Sequence, residues 1–211
     1  MSDLKAITDT LISCDMDTLM DLVKTALDEG IPAGDILSQG LIGGMAVVGE
    51  RMESGEMFIP EVLMAAHCMG TAVELLTPHL AEGEATSAGR VVIGTVKGDL
   101  HDIGKNLVVM MMESVGFEVT DLGVDVDADT FLKAIEEHKP QIVGLSALLT
   151  TTMPMMRDTV AKIAECDHRD ALKIMVGGAP VDQAFADEIG ADAYAPDAGS
   201  ASKLAKALMN G

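Results

Sequence analysis

From Val91 onward, short runs of almost purely apolar residues alternate with stretches of helical periodicity, and this alternation constrains the fold more than any other feature. Val91 to Val96, Phe117 to Leu122, Gln141 to Leu145, Leu172 to Val176 and Ala193 to Ala195 read as strands. Lys105 to Val115, Thr130 to Glu137, Pro154 to Glu165, Asp182 to Ile189 and Ser200 to Met209 read as helices. Strands that are apolar on both faces must be covered on both. The repeated β-α units therefore predict a parallel sheet between two helical layers.

Five strands in such a series predict the order 2-1-3-4-5, the flavodoxin-like (Rossmann-like) arrangement. Ligands then meet the C-terminal ends of strands one and three, where the winding reverses. The special residues of the sequence fall at that rim: Asp99 and His101 after strand one, Ser146 to Thr152 after strand three, and Gly177-Gly178-Ala179-Pro180 after strand four.

The segment before the sheet is helical throughout. Leu4, Ile7, Leu11 and Ile12 form one apolar stripe, and Leu19, Leu22, Val23, Ala26 and Leu27 a second, ended by Gly30 and Pro32. Leu37, Leu41, Met45, Val48 and Met52 give a third, and Leu63, Ala66, Gly70, Val73 and Leu76 a fourth behind a first-turn Pro60. Short turns between such helices predict an antiparallel, all-α four-helix bundle over residues 1–80. Ala81 to Gly89, small and polar, reads as a flexible linker, which leaves 90–211 for the α/β domain. Between the third and fourth helices, Met57, Phe58 and Ile59 are unusually apolar for a turn: they either tuck beneath the bundle or cover something flat and apolar.

Charge narrows the partners. With 14 basic and 34 acidic side chains the net charge is −20, so there is no basic stripe to release counterions from a phosphate backbone, and neither nucleic acid nor an anionic membrane is expected. The N-terminus lacks a basic region followed by an apolar one, and no long uninterrupted apolar stretch occurs, so the expected setting is the cytoplasm. Cys14, Cys68 and Cys166 are isolated, which supports neither a disulfide framework nor a thiolate metal site. Most of the 16 Met residues read as core filler.

The loop Gly98-Asp99-Leu100-His101-Asp102-Ile103-Gly104-Lys105-Asn106 carries the chemistry. It is not a phosphate loop: the spacing is one residue too long, and Asn106 stands where Ser or Thr would meet Mg²⁺. Nor is there a G-x-G-x-x-G fingerprint, and Ser146 occupies the place of a receiver domain's phosphoacceptor aspartate. Two readings of His101 stay open on these residues. It is either a loop histidine bonded to Asp99 or Asp102, or a metal ligand whose tautomer a carboxylate fixes. Asp102, Lys105 and Asn106 either seat polar groups of a ligand or cap the following helix, and capping is the preferred reading of Asp102. His67, His79, His138 and His168 read as surface or packing residues.

Asp99-x-His101-x-x-Gly104, then 41 residues, Ser146-x-Leu148, then 28 residues, and Gly177-Gly178 resembles the signature of base-off, histidine-on cobalamin-binding domains. With the helical segment, the chain resembles the small corrinoid proteins of anaerobic methyltransferase systems and the cobalamin-binding module of methionine synthase. The resemblance implies that His101 is the lower axial ligand of cobalt, that Asp99 accepts its other N–H, and that Thr152 extends this relay. It also implies a cofactor site lined by Asp102, Ile103, Gly104, Ser146, Leu148, Thr150, Thr152, Gly177 and Gly178. The nucleotide tail would enter beside strand three under the glycine pair. The helical segment would act as a cap, with Met52 and Ile59 over the reactive face; Met52 stands where relatives of the methionine synthase kind carry an aromatic.

By the same resemblance the chain is a methyl carrier. It would accept a methyl group on Co(I) from a substrate-specific methyltransferase and deliver it from methyl-Co(III) to a second methyltransferase acting on a thiol or a tetrahydropterin or tetrahydrofolate. A reductive activation protein would restore the cofactor. The alternatives are an adenosylcobalamin-dependent mutase subunit and a cobalamin-sensing regulatory module; the latter normally carries a basic DNA-binding segment, which this acidic chain lacks.

Overall fold

The computed structural model describes residues 4–80 and 87–209 and divides into two compact units, one centred on Met1–Thr86, the other on Ser87–Glu113 and Phe117–Gly211. The expected linker falls mostly on 81–86, outside the described residues; its last residue, Gly89, already belongs to a strand.

In the helical unit, α1 (Leu4–Ile12) packs on α2 (Met16–Asp28), whose start is capped by Asp15 accepting the Thr18 N–H. The third helix runs as α3 (Ala33–Asp35), a π-helical segment (Ile36–Ile42) and α4 (Gly43–Glu53). A constant 3.6-residue period does not anticipate the wide segment. Gly40 and Gly44 let it lie close against α1, where a methyl group on Gly40 would stand 3.1 Å from Ile7. Thr8 donates its hydroxyl to the Gly40 carbonyl at 2.9 Å.

The fourth long helix, α5 (Ile59–Leu76), begins where the Glu61 carboxylate accepts the Phe58 N–H at 2.8 Å. Its buried face differs from the expected one. Val62, Ala65, Cys68, Met69, Ala72 and Leu76 point into the bundle, while Leu63 and Gly70 are exposed and Ala66 and Val73 half-buried. The helix is apolar on both sides, so periodicity alone selects the wrong stripe. Extended to His79, it is the one helix among the described residues long and apolar enough to cross a membrane by composition. One face nevertheless packs as a core helix does. The preceding turn divides the two readings of its apolar residues: Met57 tucks in, whereas Phe58 and Ile59 are exposed.

The second unit is the expected parallel sheet. β1 (Gly89–Thr95), β2 (Phe117–Asp121), β3 (Ile142–Ser146), β4 (Lys173–Gly177) and β5 (Ala193–Ala195) lie in the order β2-β1-β3-β4-β5. Between them run α6 (Ile103–Ser114), α7 (Ala128–His138), α8 (Met153–Ala164) and α9 (Gln183–Ile189), followed by α10 (Ala198–Met209). Asp127 caps α7 through the Thr130 N–H, and Asp182 caps α9 through the Phe185 N–H. Val92, Val143 and Ile174 of the central strands bury against Phe131, Ile135, Met156, Val160 and Ile163 of α7 and α8. Each such side chain contributes about 1.5–3 kcal/mol relative to exposure, and this core holds the strand ends in place. Thr95, Ser146, Gly177 and Ala195 pair in sequence across β1, β3, β4 and β5. One row of the sheet's C-terminal edge therefore sets the spacing of the loops that follow.

Candidate cobalamin site

Loops from β1, β3 and β4 leave that edge, and the first two meet at Asp99. Its side chain is 0% exposed, an expensive place for a carboxylate unless both oxygens are bonded. They are. Oδ1 lies 2.7 Å from His101 Nδ1 and accepts the His101 backbone N–H at 3.1 Å. Oδ2 accepts the Leu148 and Leu149 N–H groups at 2.8 and 3.2 Å and the Thr152 hydroxyl at 2.8 Å. Burial opposes ionisation, yet the bonds from the His101 side chain, Leu148, Thr152 and the His101 backbone outweigh it and hold the carboxyl well below its ordinary range.

An ionised Asp99 facing Nδ1 requires that nitrogen to carry a proton, and in the neutral imidazole this leaves the lone pair on Nε2. The His101 side chain is 51% exposed, so that lone pair is accessible. Around it stands an apolar rim: Leu100 is 71% and Ile103 80% exposed, with Leu148 and Leu149 exposed as well. Open space surrounds Gly104. Among the described residues no three His, Cys, Asp or Glu side chains could jointly hold a metal ion. A lone imidazole in an apolar frame fits a metal that brings its other ligands in a flat organic ring, and these residues accommodate a corrin.

The remaining expected residues are placed less uniformly. Ser146 is half-buried, and its hydroxyl has no hydrogen bond among the described residues. Thr150 is exposed. Asp102 stands directly before α6, at the N-cap position, and its backbone carbonyl accepts the Asn106 N–H at 2.7 Å, the first i→i+4 bond of the helix. Gly177 and Gly178 have a local reason to be glycine. A methyl group on Gly178, at φ +123°, would lie 1.8 Å from the Ala147 carbonyl oxygen, and one on Gly177 2.9 Å from that of Ala195. Met52, in α4, is half-buried, and Cys14, Cys68 and Cys166 are free.

Three features escaped sequence reasoning. Thr95, fully buried, donates its hydroxyl to the His101 carbonyl at 2.9 Å; a hydroxyl ending an apolar strand was the available signal. Lys105, expected to seat polar groups of a ligand or to cap the following helix, is buried on Asp121 Oδ2 and Asn106 Oδ1. Asp125 bonds the loop on both sides of Asp99 and carried no local signal.

Residues 89–203 match the B12 binding domain family, and residues 3–77 match a second family of the same description. This chain belongs to the B12-binding proteins, and within them to the corrinoid proteins. It is 43% identical over 206 residues to dimethylamine corrinoid protein 3 of Methanosarcina acetivorans, covering 98% of this chain and 96% of that one. The crystal structure of a cobalamin-binding protein from Desulfitobacterium hafniense superposes with a TM-score of 0.86 at 34% identity, covering 98% of both chains. The methanol:cobalamin methyltransferase complex MtaBC of Methanosarcina barkeri contains a chain similar at TM-score 0.80 and 30% identity, with 97% of this chain and 78% of that one covered.

Proposed function

We propose that this protein carries methyl groups on a corrinoid bound base-off, with His101 Nε2 as the lower axial ligand of cobalt. The carrying observation is the exposed imidazole anchored through Nδ1 to the buried carboxylate of Asp99, at the C-terminal edge of a sheet whose strand order reverses there. The corrinoid supplies the cobalt on which a methyl group is held. The chain's residues bind, orient and exclude water. Asp99 fixes the imidazole tautomer, Thr152 and the Leu148 and Leu149 amides fix Asp99, and Leu100, Ile103 and Leu148 offer apolar surface to the ring. With a corrinoid bound, the His101–Asp99 pair would hold the proton shared between imidazole and carboxylate and would be the place to take up or release one. Ser146 and the Gly177-Gly178 turn border the proposed path of the nucleotide tail.

The helical segment, residues 1–80, acts in this reading as the cap, with Met52 and Ile59 offering apolar surface of the kind that shields a corrin. The binding domain in this reading is residues 90–211. Support for the partners comes from relatives named as dimethylamine corrinoid proteins and from the MtaBC complex. By analogy the chain receives methyl groups from a substrate-specific methyltransferase and gives them to a second one acting on a thiol or tetrahydrofolate, with a reductive activation protein, in the cytoplasm.

The test is anaerobic. The cobalamin-loaded protein is reduced, mixed with extract of its source organism and challenged with methylamines, methanol, methoxylated aromatics, betaines and methyl thiols while cobalt absorption is followed. Loss of the reduced spectrum with one class of donor establishes the carrier role. Tight adenosylcobalamin binding without response to any donor overturns it.

A further inference from the structure

Asp125 adopts the left-handed conformation, φ 56°, which is unfavourable for a residue other than glycine and is held here by its surroundings. Its bonds show what is held in exchange. The carboxylate Oδ1 accepts the Gly98 N–H at 2.8 Å, and its own N–H donates to the Asp99 carbonyl at 3.0 Å. Asp125 thus grips the backbone at the Gly98 amide, one residue before Asp99, and at the Asp99 carbonyl, and Lys97 Nζ lies 3.3 Å from the same carboxylate oxygen.

The gripping loop is itself fixed to β1 on both sides of Asp125. Leu122 N–H donates to the Ile93 carbonyl, Thr95 N–H to the Gly123 carbonyl, and Val126 N–H to the Thr95 carbonyl. Asp121 Oδ1 additionally accepts the Gly123 N–H at 2.9 Å. The Asp99–His101 loop is therefore anchored to a rigid turn from outside, while the bonds to Leu148, Leu149 and Thr152 hold Asp99 from the β3 side.

We propose that Asp125 is a positioning residue for the metal ligand: by clamping Gly98 and Asp99 from the β2–α7 turn, it keeps the His101 imidazole aimed at cobalt. This rests on the reading of His101 as that ligand. The clamp works through a hydrogen-bond acceptor and not through charge, because the contact of interest is with a neutral amide. Asn fills the same role: it tolerates positive φ and presents a carbonyl oxygen to Gly98. Glycine relieves the strain but offers no acceptor.

The test uses the full chain labelled with ¹⁵N-histidine, loaded with cobalamin and held as Co(II), so that paramagnetic resonance distinguishes a protein imidazole from the cofactor's own ¹⁴N base. Wild type and Asp125→Asn should show ¹⁵N coupling on essentially all cobalt. Asp125→Gly should lose it on at least half the cobalt while retaining bound cofactor and a wild-type circular dichroism spectrum; Asp125→Ala, which likewise offers no acceptor to Gly98, replaces it if the glycine variant fails to fold. An undiminished coupling in the glycine or alanine variant overturns the clamp alone, as does a loss in Asp125→Asn equal to that in Asp125→Gly. Absence of ¹⁵N coupling in the wild type overturns both the clamp and the assignment of His101.

Discussion

The carboxylate of Asp99 serves two opposed sets of donors at once: Oδ1 takes His101 Nδ1 at 2.7 Å, and Oδ2 takes Thr152 and the amides of the loop after β3. Only an acceptor at both oxygens satisfies this. An amide has one oxygen, so Asp99→Asn turns its NH₂ either toward His101 or toward the Leu148 and Leu149 N–H groups, and one side is left donor against donor. The expected result is a loss of about 1–3 kcal/mol in urea unfolding. Loss of the imidazole signature from bound cobalamin should accompany it. His101→Ala removes a half-exposed ring and should fold and bind cobalamin with the signature gone. Unchanged reduction and methylation behaviour in that variant would contradict the relay.

Acid should weaken the fold through the same group. The carboxyl of Asp99 titrates lower in the folded chain than in the unfolded one, so on acidification the unfolded chain takes up its proton first. Its contribution to stability is complete above the unfolded value, near pH 4, and disappears as pH falls toward the folded value. Comparison of wild type with Asp99→Asn isolates this part from the many other carboxylates. The two stability curves should converge as pH drops below about 4 and run parallel above about 5. Parallel curves throughout would mean that Asp99 titrates alike in both states.

The strands, their order and the rim position of Asp99 and His101 were legible because each rests on a local pattern: apolar runs, helical breaks, and motifs at loop starts. What was not legible depends on contacts distant in sequence or on an ambiguous period. Lys105 lies buried because Asp121, sixteen positions on, sits at the end of the neighbouring strand. The role of Asp125 arises twenty-seven positions from Gly98. The face of α5 was misread because Leu63, Ala66, Gly70 and Val73 repeat as regularly as the buried set. The π-helical segment was missed because a single period was applied across Ile36–Ile42.

The Lys105–Asp121 pair should respond asymmetrically to its two deletions. The lysine side chain is 1% exposed and that of the aspartate 34%. Asp121→Ala strands a buried ammonium with Asn106 as its remaining partner and should cost about 3 kcal/mol. Lys105→Met leaves only a partly solvated carboxylate unpaired and fills the space with an apolar chain of similar length, so about 1 kcal/mol is expected. Denaturant midpoints of both variants and the double variant check this. Equal costs for the single changes would show that the pair acts as a surface ion pair despite its burial.

Glycine-to-alanine substitutions should separate the positions the site needs from those it does not. At Gly178 the added carbon meets a backbone carbonyl oxygen at 1.8 Å, and no side-chain rotation relieves that contact. The β4 loop must move away from Ala147, which adjoins the amides that hold Asp99, and a loss above about 3 kcal/mol is expected. At Gly44 the nearest atom is the end of the Leu11 side chain at 2.7 Å, which can shift, so the cost should be about 1 kcal/mol. At Gly70, exposed in the interior of α5, nothing lies within 4 Å. Alanine there gains helix propensity without a collision, and the helical unit should become more stable by about 0.5–1 kcal/mol. A destabilised Gly70→Ala variant would mean that this open face of α5 is covered in solution.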